Sequence, residues 1–474
     1  MNLKTKFARV GAVATTLALA SLGMAGVATA ADSGYVAPDA GEQASLTIHK
    51  HVGNDELGDY TGEEPTNLGD PVAGVTFTIQ QVGTMVEGEC VAPDLGTPAG
   101  WDAINDATVD NVCDLGTSEE VVTGEDGSVK VDLAQGLYKV TETDPGANLV
   151  TEKAIPFLVT LPMPLNNGWD YDVHVYPKNK LGDATVTKTA LDPDMVVPGA
   201  TVPWTITANI PAVALPYTSI VVKDNPDAAL ADTTMIVRVA VEGYSALEEG
   251  THYTLSADKL TVTLTEAGLE VVNAIVTGEN AEAATLKVGV ESIIPEDATS
   301  GKFTNSAEVL LNNKPYTPGG NPETIWGQLE LNKVEKGTTK PLEGAKFAVF
   351  EGTCDIPEGT APVAEGTTDA DGKFTQTLYI GKRDADDTNT VEKTYCLMET
   401  AAPAGYILDE KGVEFTLTSE DNAITKTVDF ENVKVTAPEL PLTGAGGTML
   451  LTGIGVALFV TGLGIVVAVR RRNA

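Results

Sequence analysis

Two stretches, Leu46-Thr47-Ile48-His49-Lys50 and Leu329-Glu330-Leu331-Asn332-Lys333, share one apolar-x-apolar-x-lysine alternation, and the landmarks downstream of each are also shared. After the first come Pro71-x-x-Gly74-x-x-Phe77 and Tyr138-x-Val140-x-Glu142-Thr143. After the second come Pro341-x-x-Gly344-x-x-Phe347 and Tyr395-x-Leu397-x-Glu399-Thr400. The same landmarks in the same order, with loops of unequal length between them, mean two copies of one domain. Period-two runs broken by turn residues such as Glu125-Asp126-Gly127 and Asp371-Gly372 predict β sandwiches.

The expected architecture is therefore all-β, with three tandem Ig-like sandwiches. The first spans 31–180 and the third 326–436, while 181–325 has other landmarks and reads as a variant sandwich. One short helix is expected over Leu264 to Ala274.

The ends are processing signals. Residues 1–30 combine Lys4, Lys6 and Arg9 with an apolar stretch and small residues at Ala28 and Ala30, the pattern of a secretory signal peptide. Residues 437–474 hold Leu440-Pro441-Leu442-Thr443-Gly444, an apolar run from Thr448 to Val469, and Arg470-Arg471-Arg472. That run is long enough to span a bilayer, with the arginines on the cytoplasmic side. The net charge of -37 repels nucleic acid and anionic lipid, so nucleic acid is not an expected partner.

Alternation also decides which polar residues face a core. Lys333 shares parity with Leu329 and Leu331, Glu399 with Leu397, and Asn432 with Val428 and Phe430. In the middle region Lys188 goes with Val186, Asp224 with Ile220 and Val222, and Asn305 with Phe303 and Ala307. Lone buried charges are costly, so each lysine, acid and asparagine set needs an explanation. One is an ion pair with an amide partner. The other is chemistry: apolar surroundings favour the neutral amine and the protonated acid. The amine then attacks the asparagine carbonyl, ammonia leaves, and an isopeptide bond remains. The reaction occurs once per molecule, so these acids do not make the chain an enzyme.

Four cysteines in a secreted chain suggest two disulfides, and domain membership favours Cys90 with Cys113 and Cys354 with Cys396. Cys396 is out of phase with Glu399, which places the second bridge on the outer surface. His49 and His51 alternate against Lys50 and are expected to face solvent without binding metal. No cofactor is expected. Asp369-x-Asp371-Gly372 lacks the closing glutamate of a calcium loop and reads as a hairpin turn.

The two ends together resemble a sortase substrate, with the string at Leu440 to Gly444 similar to an LPXTG cell-wall sorting signal. That resemblance implies attack by a sortase cysteine on the Thr443 carbonyl and release of Gly444 onward. Tyr395-Cys396-Leu397-Met398-Glu399-Thr400 with Ala401 to Tyr406 resembles the E-box of collagen-adhesin B-type pilin domains. It implies a Lys333–Asn432 bond with Glu399 as the acid. Val186-Thr187-Lys188, Val222-Lys223-Asp224 and Thr304-Asn305-Ser306-Ala307 resemble the fimbrial isopeptide-formation domain, implying a Lys188–Asn305 bond with Asp224 as the acid. The first domain holds Lys50, Glu142 and Asn179 in equivalent places, but Asp144-Pro145-Gly146 leaves its E-box degenerate, which argues against a bond there.

Trp169-Asp170-Tyr171-Asp172-Val173-His174-Val175-Tyr176-Pro177-Lys178 resembles the pilin motif of sortase-polymerised shaft subunits. Val173, Val175, Pro177 and Asn179 share one face, so Lys178 points the other way, with Lys180 the nearest alternative. The resemblance implies that Lys178 of one subunit is joined to Thr443 of the next, head to tail, in an open filament. It further implies a pilus (class C) sortase, a housekeeping sortase, minor pilins and peptidoglycan as partners, with a host receptor as a further candidate. The expected product is a cell-wall-anchored pilus shaft on a Gram-positive surface. The alternatives are a singly anchored ancillary pilin and a monomeric adhesin.

Overall fold

Strict alternation along Thr201–Ile210 buries Val202, Trp204, Ile206, Ala208 and Ile210 and leaves the intervening residues half-covered, the signature of a strand with one face on a core. Strands are the predominant regular element among the described residues. The computed structural model describes residues 35–53, 60–66, 68–244, 246–384, 387–420 and 424–436. The signal segment 1–30 and the sorting segment with Leu440, Pro441, Leu442, Thr443 and Gly444 lie outside these. Among the described residues no helix is long and apolar enough to cross a membrane.

The described residues form two compact units. One comprises the described residues of 35–329, 376–394 and 416–426, the other those of 330–375, 395–415 and 427–436. In the first unit, Ala44–His49 pairs in parallel with Asp172–Val175 and antiparallel with Ser128–Leu133. Opposite lies the sheet of Thr76–Val86, Gly136–Asp144 and Phe157–Leu161. Leu46, Ile48, Phe77, Ile79, Val140, Val159 and Val173 fill the space between them. Lys178–Leu181 continues the chain beyond Asp172–Val175, running parallel to His51–Val52 and antiparallel to Val150–Glu152.

The same unit contains a second pair of sheets. Thr201–Ile210 sits between Thr185–Ala190 and Ala284–Ile293, and Ile220–Pro226 pairs with Gly301–Leu311. Thr265 caps a helix over Glu266–Val276 by accepting a hydrogen bond from the Gly268 amide, and that helix buries Val272 and Val276. It begins two residues later than the sequence suggested. A helix that the sequence pattern did not announce, Pro98–Asn105, has the Thr97 hydroxyl as its cap and Pro98 in its first turn.

In the second unit, Lys346–Glu351 pairs antiparallel with Glu392–Ala401. Leu331, Phe347, Leu397, Phe415, Val428 and Phe430 are buried, with Phe347 and Phe430 in edge-to-face contact at 5.1 Å. Asp369 to Gly372 is a hairpin turn in which the Gly372 amide donates to the Asp369 carbonyl.

Candidate functional site

Three lysine, acid and asparagine sets are buried among the described residues. In the middle region Lys188 lies on Thr185–Ala190, Asp224 on Ile220–Pro226 and Asn305 on Gly301–Leu311; they are 2%, 3% and 0% exposed. The Lys188 ammonium bonds the Asp224 carboxylate and donates to the Ser306 carbonyl at 2.9 Å. Asn305 Nδ2 donates to Asp224 Oδ2 at 3.1 Å. The Trp204 ring lies 5.8 Å from the amine. Burial lowers the lysine to about 8, and burial raises Asp224 above the ordinary carboxylate value. Both shifts favour the neutral forms that nucleophilic attack needs.

In the second unit Lys333 Nζ and Glu399 Oε1 are 3.3 Å apart but lack hydrogen-bond geometry. Asn432 Nδ2 donates to Glu399 Oε2 and to the Ile407 carbonyl, each at 2.8 Å, and the Asp409 amide donates to Glu399 Oε2 at 3.0 Å. Phe430 and Phe347 flank the amine at 4.4 and 5.9 Å, and burial pushes Lys333 below the ordinary lysine range.

In the first region Lys50 Nζ reaches Glu142 Oε2 at 2.9 Å and donates to Asn179 Oδ1 at 2.6 Å. Asn179 Nδ2 donates to Glu142 Oε1 at 2.8 Å, and the Ala154 amide donates to Glu142 Oε2 at 3.2 Å.

Hydrogen bonding separates the three sets. Buried polar atoms in native proteins nearly always find a partner, and each exception needs a reason. Among the described residues five buried side-chain atoms have none, and four belong to these sets: Asn305 Oδ1, Lys333 Nζ, Glu399 Oε1 and Asn432 Oδ1. The first-region trio contributes no such atom.

Lys178 comes between the buried Pro177 and the buried Asn179, and its own side chain is half-buried. Its stem crosses Gly53, where an added Cβ would lie 3.1 Å from Lys178 Cδ. Lys180, on the same face, pairs with Glu152 at 2.7 Å. The disulfides join Cys90 to Cys113 and Cys354 to Cys396. The second does not sit on the outer surface as expected: Cys396 is fully buried, because Gly412 packs over the bridge with its Cβ position 2.5 Å from Cys354 Sγ. His49 and His51 are half-buried rather than turned to solvent. His49 contacts His174 and Tyr176, and His51 meets the Gly69 carbonyl at 2.8 Å. Among the described residues no cluster of His, Cys, Asp or Glu could hold a metal.

Comparison with known proteins gives these positions their context. Residues 41–180 match the N-terminal domain of Gram-positive pilin subunit D1, 327–434 a prealbumin-like fold domain, and 432–474 the LPXTG cell wall anchor motif. Fimbrial subunit type 2 of Actinomyces naeslundii is 30% identical over 518 aligned residues, covering 95% of this chain and 94% of that protein. The chain belongs to the Gram-positive fimbrial subunits. Fimbrial subunit type 1 of Actinomyces viscosus is 29% identical, with 93% of each chain covered. The full-length major pilin SpaD of Corynebacterium diphtheriae is 26% identical, with 84% of this chain and 99% of that one covered at a TM-score of 0.47. The pilin is a wall-anchored shaft subunit of a surface pilus, a structural protein on which sortase acts rather than an enzyme.

Proposed function

We propose that Lys178 of one pilin is joined to Thr443 of the next, and that bonds Lys188–Asn305 and Lys333–Asn432 brace each subunit from within. The linkage begins when a sortase thiolate attacks the Thr443 carbonyl, breaking the Thr443–Gly444 amide and expelling the protonated Gly444 amine. The neutral Lys178 amine then attacks the thioester, forms a new amide, releases the thiol and gives up a proton. A class C pilus sortase suits the polymerising step and a housekeeping sortase the final transfer to peptidoglycan. Minor pilins and a host receptor complete this reading.

The observation that supports the choice of lysine is the alternation at Tyr176-Pro177-Lys178-Asn179, which buries Pro177 and Asn179 and leaves Lys178 between them half-buried, on the opposite face. Lys180 shares that face but stands two residues past the motif, in an ion pair with Glu152. Blotting of cell-wall extracts tests the choice: Lys178→Ala abolishes the high-mass ladder and Lys180→Ala preserves it. A ladder that persists in Lys178→Ala refutes the linkage.

Within each subunit, neutral lysine attacks the asparagine Cγ, the acid relays the proton to the leaving nitrogen, and one ammonia departs per bond. The unpartnered atoms of the second and third sets support bonds there. The fully satisfied Lys50, Glu142 and Asn179 trio is assigned as a buried ion pair. With its disulfides reduced, the secreted chain then has an intact mass about 34 Da below that of its sequence, two ammonia molecules. A deficit of three would restore a first-domain bond.

A further inference from the structure

A hollow of about 290 Å³ opens on the strands that lead to Lys178, lined by His49, Tyr60, Glu63, Glu64, His174 and Tyr176. Its aromatic side is a stack. The His49 ring lies 4.8 Å from Tyr176 at 12° and 5.1 Å from His174 at 16°, with His49 Nε2 and His174 Nδ1 hydrogen-bonded at 2.8 Å. Tyr60 stands over it with its hydroxyl donating to Asp170 at 2.6 Å. Alternation puts His174, Tyr176 and Lys178 in one outward row, and the parallel register sets Lys178 beside His51.

Aromatic-lined hollows of this kind accept extended, proline-bearing segments, whose rigid polyproline II form loses little entropy on docking. The chain supplies one. Immediately before Thr443 it reads Pro438-Glu439-Leu440-Pro441-Leu442. In a polyproline II form, with three residues per turn, Pro438 and Pro441 would share one edge and Glu439 would take another. At about 3.1 Å per residue in that form, Pro441 would lie about 6 Å and Pro438 about 15 Å before Thr443. Along the row, Tyr176 and His174 lie about 7 and 13 Å before Lys178. The two spacings match. Lys434, shortly upstream of Pro438, is the cation that Glu63 and Glu64 would attract.

We infer that this hollow seats the Pro438–Leu442 tail of the neighbouring subunit, holding its Thr443 end beside the acceptor amine. The inference rests on the Lys178–Thr443 reading and specifies how the partner copy is recognised.

The test titrates an amidated peptide of residues 436–443 into the soluble chain 31–436, followed by NMR of the histidine rings. Saturable binding at millimolar peptide is expected. Tyr176→Ala in the protein, or Pro438→Ala with Pro441→Ala in the peptide, weakens it about tenfold. Tyr176→Phe, which keeps the ring, and Lys178→Ala leave it intact. Should Tyr176→Ala fail to fold, the peptide variants give the same answer. Absence of saturable binding, or binding indifferent to both prolines, overturns the inference while a Lys178-dependent ladder keeps the linkage standing. A ladder unchanged in Lys178→Ala removes the linkage, and the role assigned to the hollow goes with it.

Discussion

Asn305→Ala is the substitution that isolates the proposed covalent brace of the middle sheets. It removes the carbonyl that the amine must attack and leaves the Lys188–Asp224 pair in place. The proposed bond closes a loop from residue 188 to 305, and chain-entropy arithmetic for a loop of that length gives about 5 kcal/mol. The hydrogen bond from Asn305 Nδ2 to Asp224, 3.1 Å long, adds about 1 kcal/mol. For a domain of this size the combined loss lowers the corresponding melting transition by about 10–20 °C. Calorimetry of the soluble chain, paired with intact-mass measurement, reads both quantities. The variant has one ammonia loss fewer than wild type, and one transition moves while the others stay. If wild type runs at its full sequence mass, or the variant melts within about 3 °C of it, the covalent brace does not exist and the site is an ion pair.

Burial holds Lys188 at about 8, well below 10.5, so the unreacted folded chain binds fewer protons than the unfolded one between those values. Stability of Asn305→Ala therefore rises with pH from about 8 to 10 and is flat below, relative to the same variant carrying Lys188→Met; a flat difference throughout contradicts the depressed amine. Gly372 adopts φ +70 with its Cβ position 2.4 Å from the Lys333 carbonyl, so Gly372→Ala costs about 1–3 kcal/mol. It also leaves a fraction of chains without the third-domain bond, seen as a second mass species. Gly127, φ +74 and 2.6 Å from the Lys50 carbonyl, is its counterpart, and Gly127→Ala destabilises without changing the mass pattern. Replacing Cys354 and Cys396 together by alanine opens a sequence separation of 42, costing about 4 kcal/mol by the same entropy relation; an unchanged melting profile would mean the bridge braces nothing.

Much of this was legible because a β strand has a period of two. Once Val186, Ile220 and Phe303 are assigned to a core, the burial of Lys188, Asp224 and Asn305 is obtained by counting. Counting fails where both faces of a strand are covered. Cys396 and Leu397 are adjacent and both buried, and the cover over Cys396 comes from the distant Gly412. His49 escaped the count for the same reason, since its partners His174 and Tyr176 lie over a hundred residues away, while His51 is covered by the loop that carries Gly69. The Pro98 helix did carry a signal in Thr97-Pro98, but one short turn in a glycine-rich stretch offers no periodicity. Hydrogen-bond satisfaction, which separates the first trio from the other two, is a matter of ångströms and no pattern of letters contains it.

The position of the acceptor amine divides each subunit mechanically. Under the proposed linkage, pull from a neighbour would enter at residue 178 and leave at residue 443, so residues before 178 would lie outside the covalent path that carries it. Beyond it, the two proposed bonds would shunt the stretches 188–305 and 333–432, leaving three short lengths of main chain to carry tension alone. The amino-terminal sandwich would then be a passenger under strain, with the remainder of the chain serving as cable.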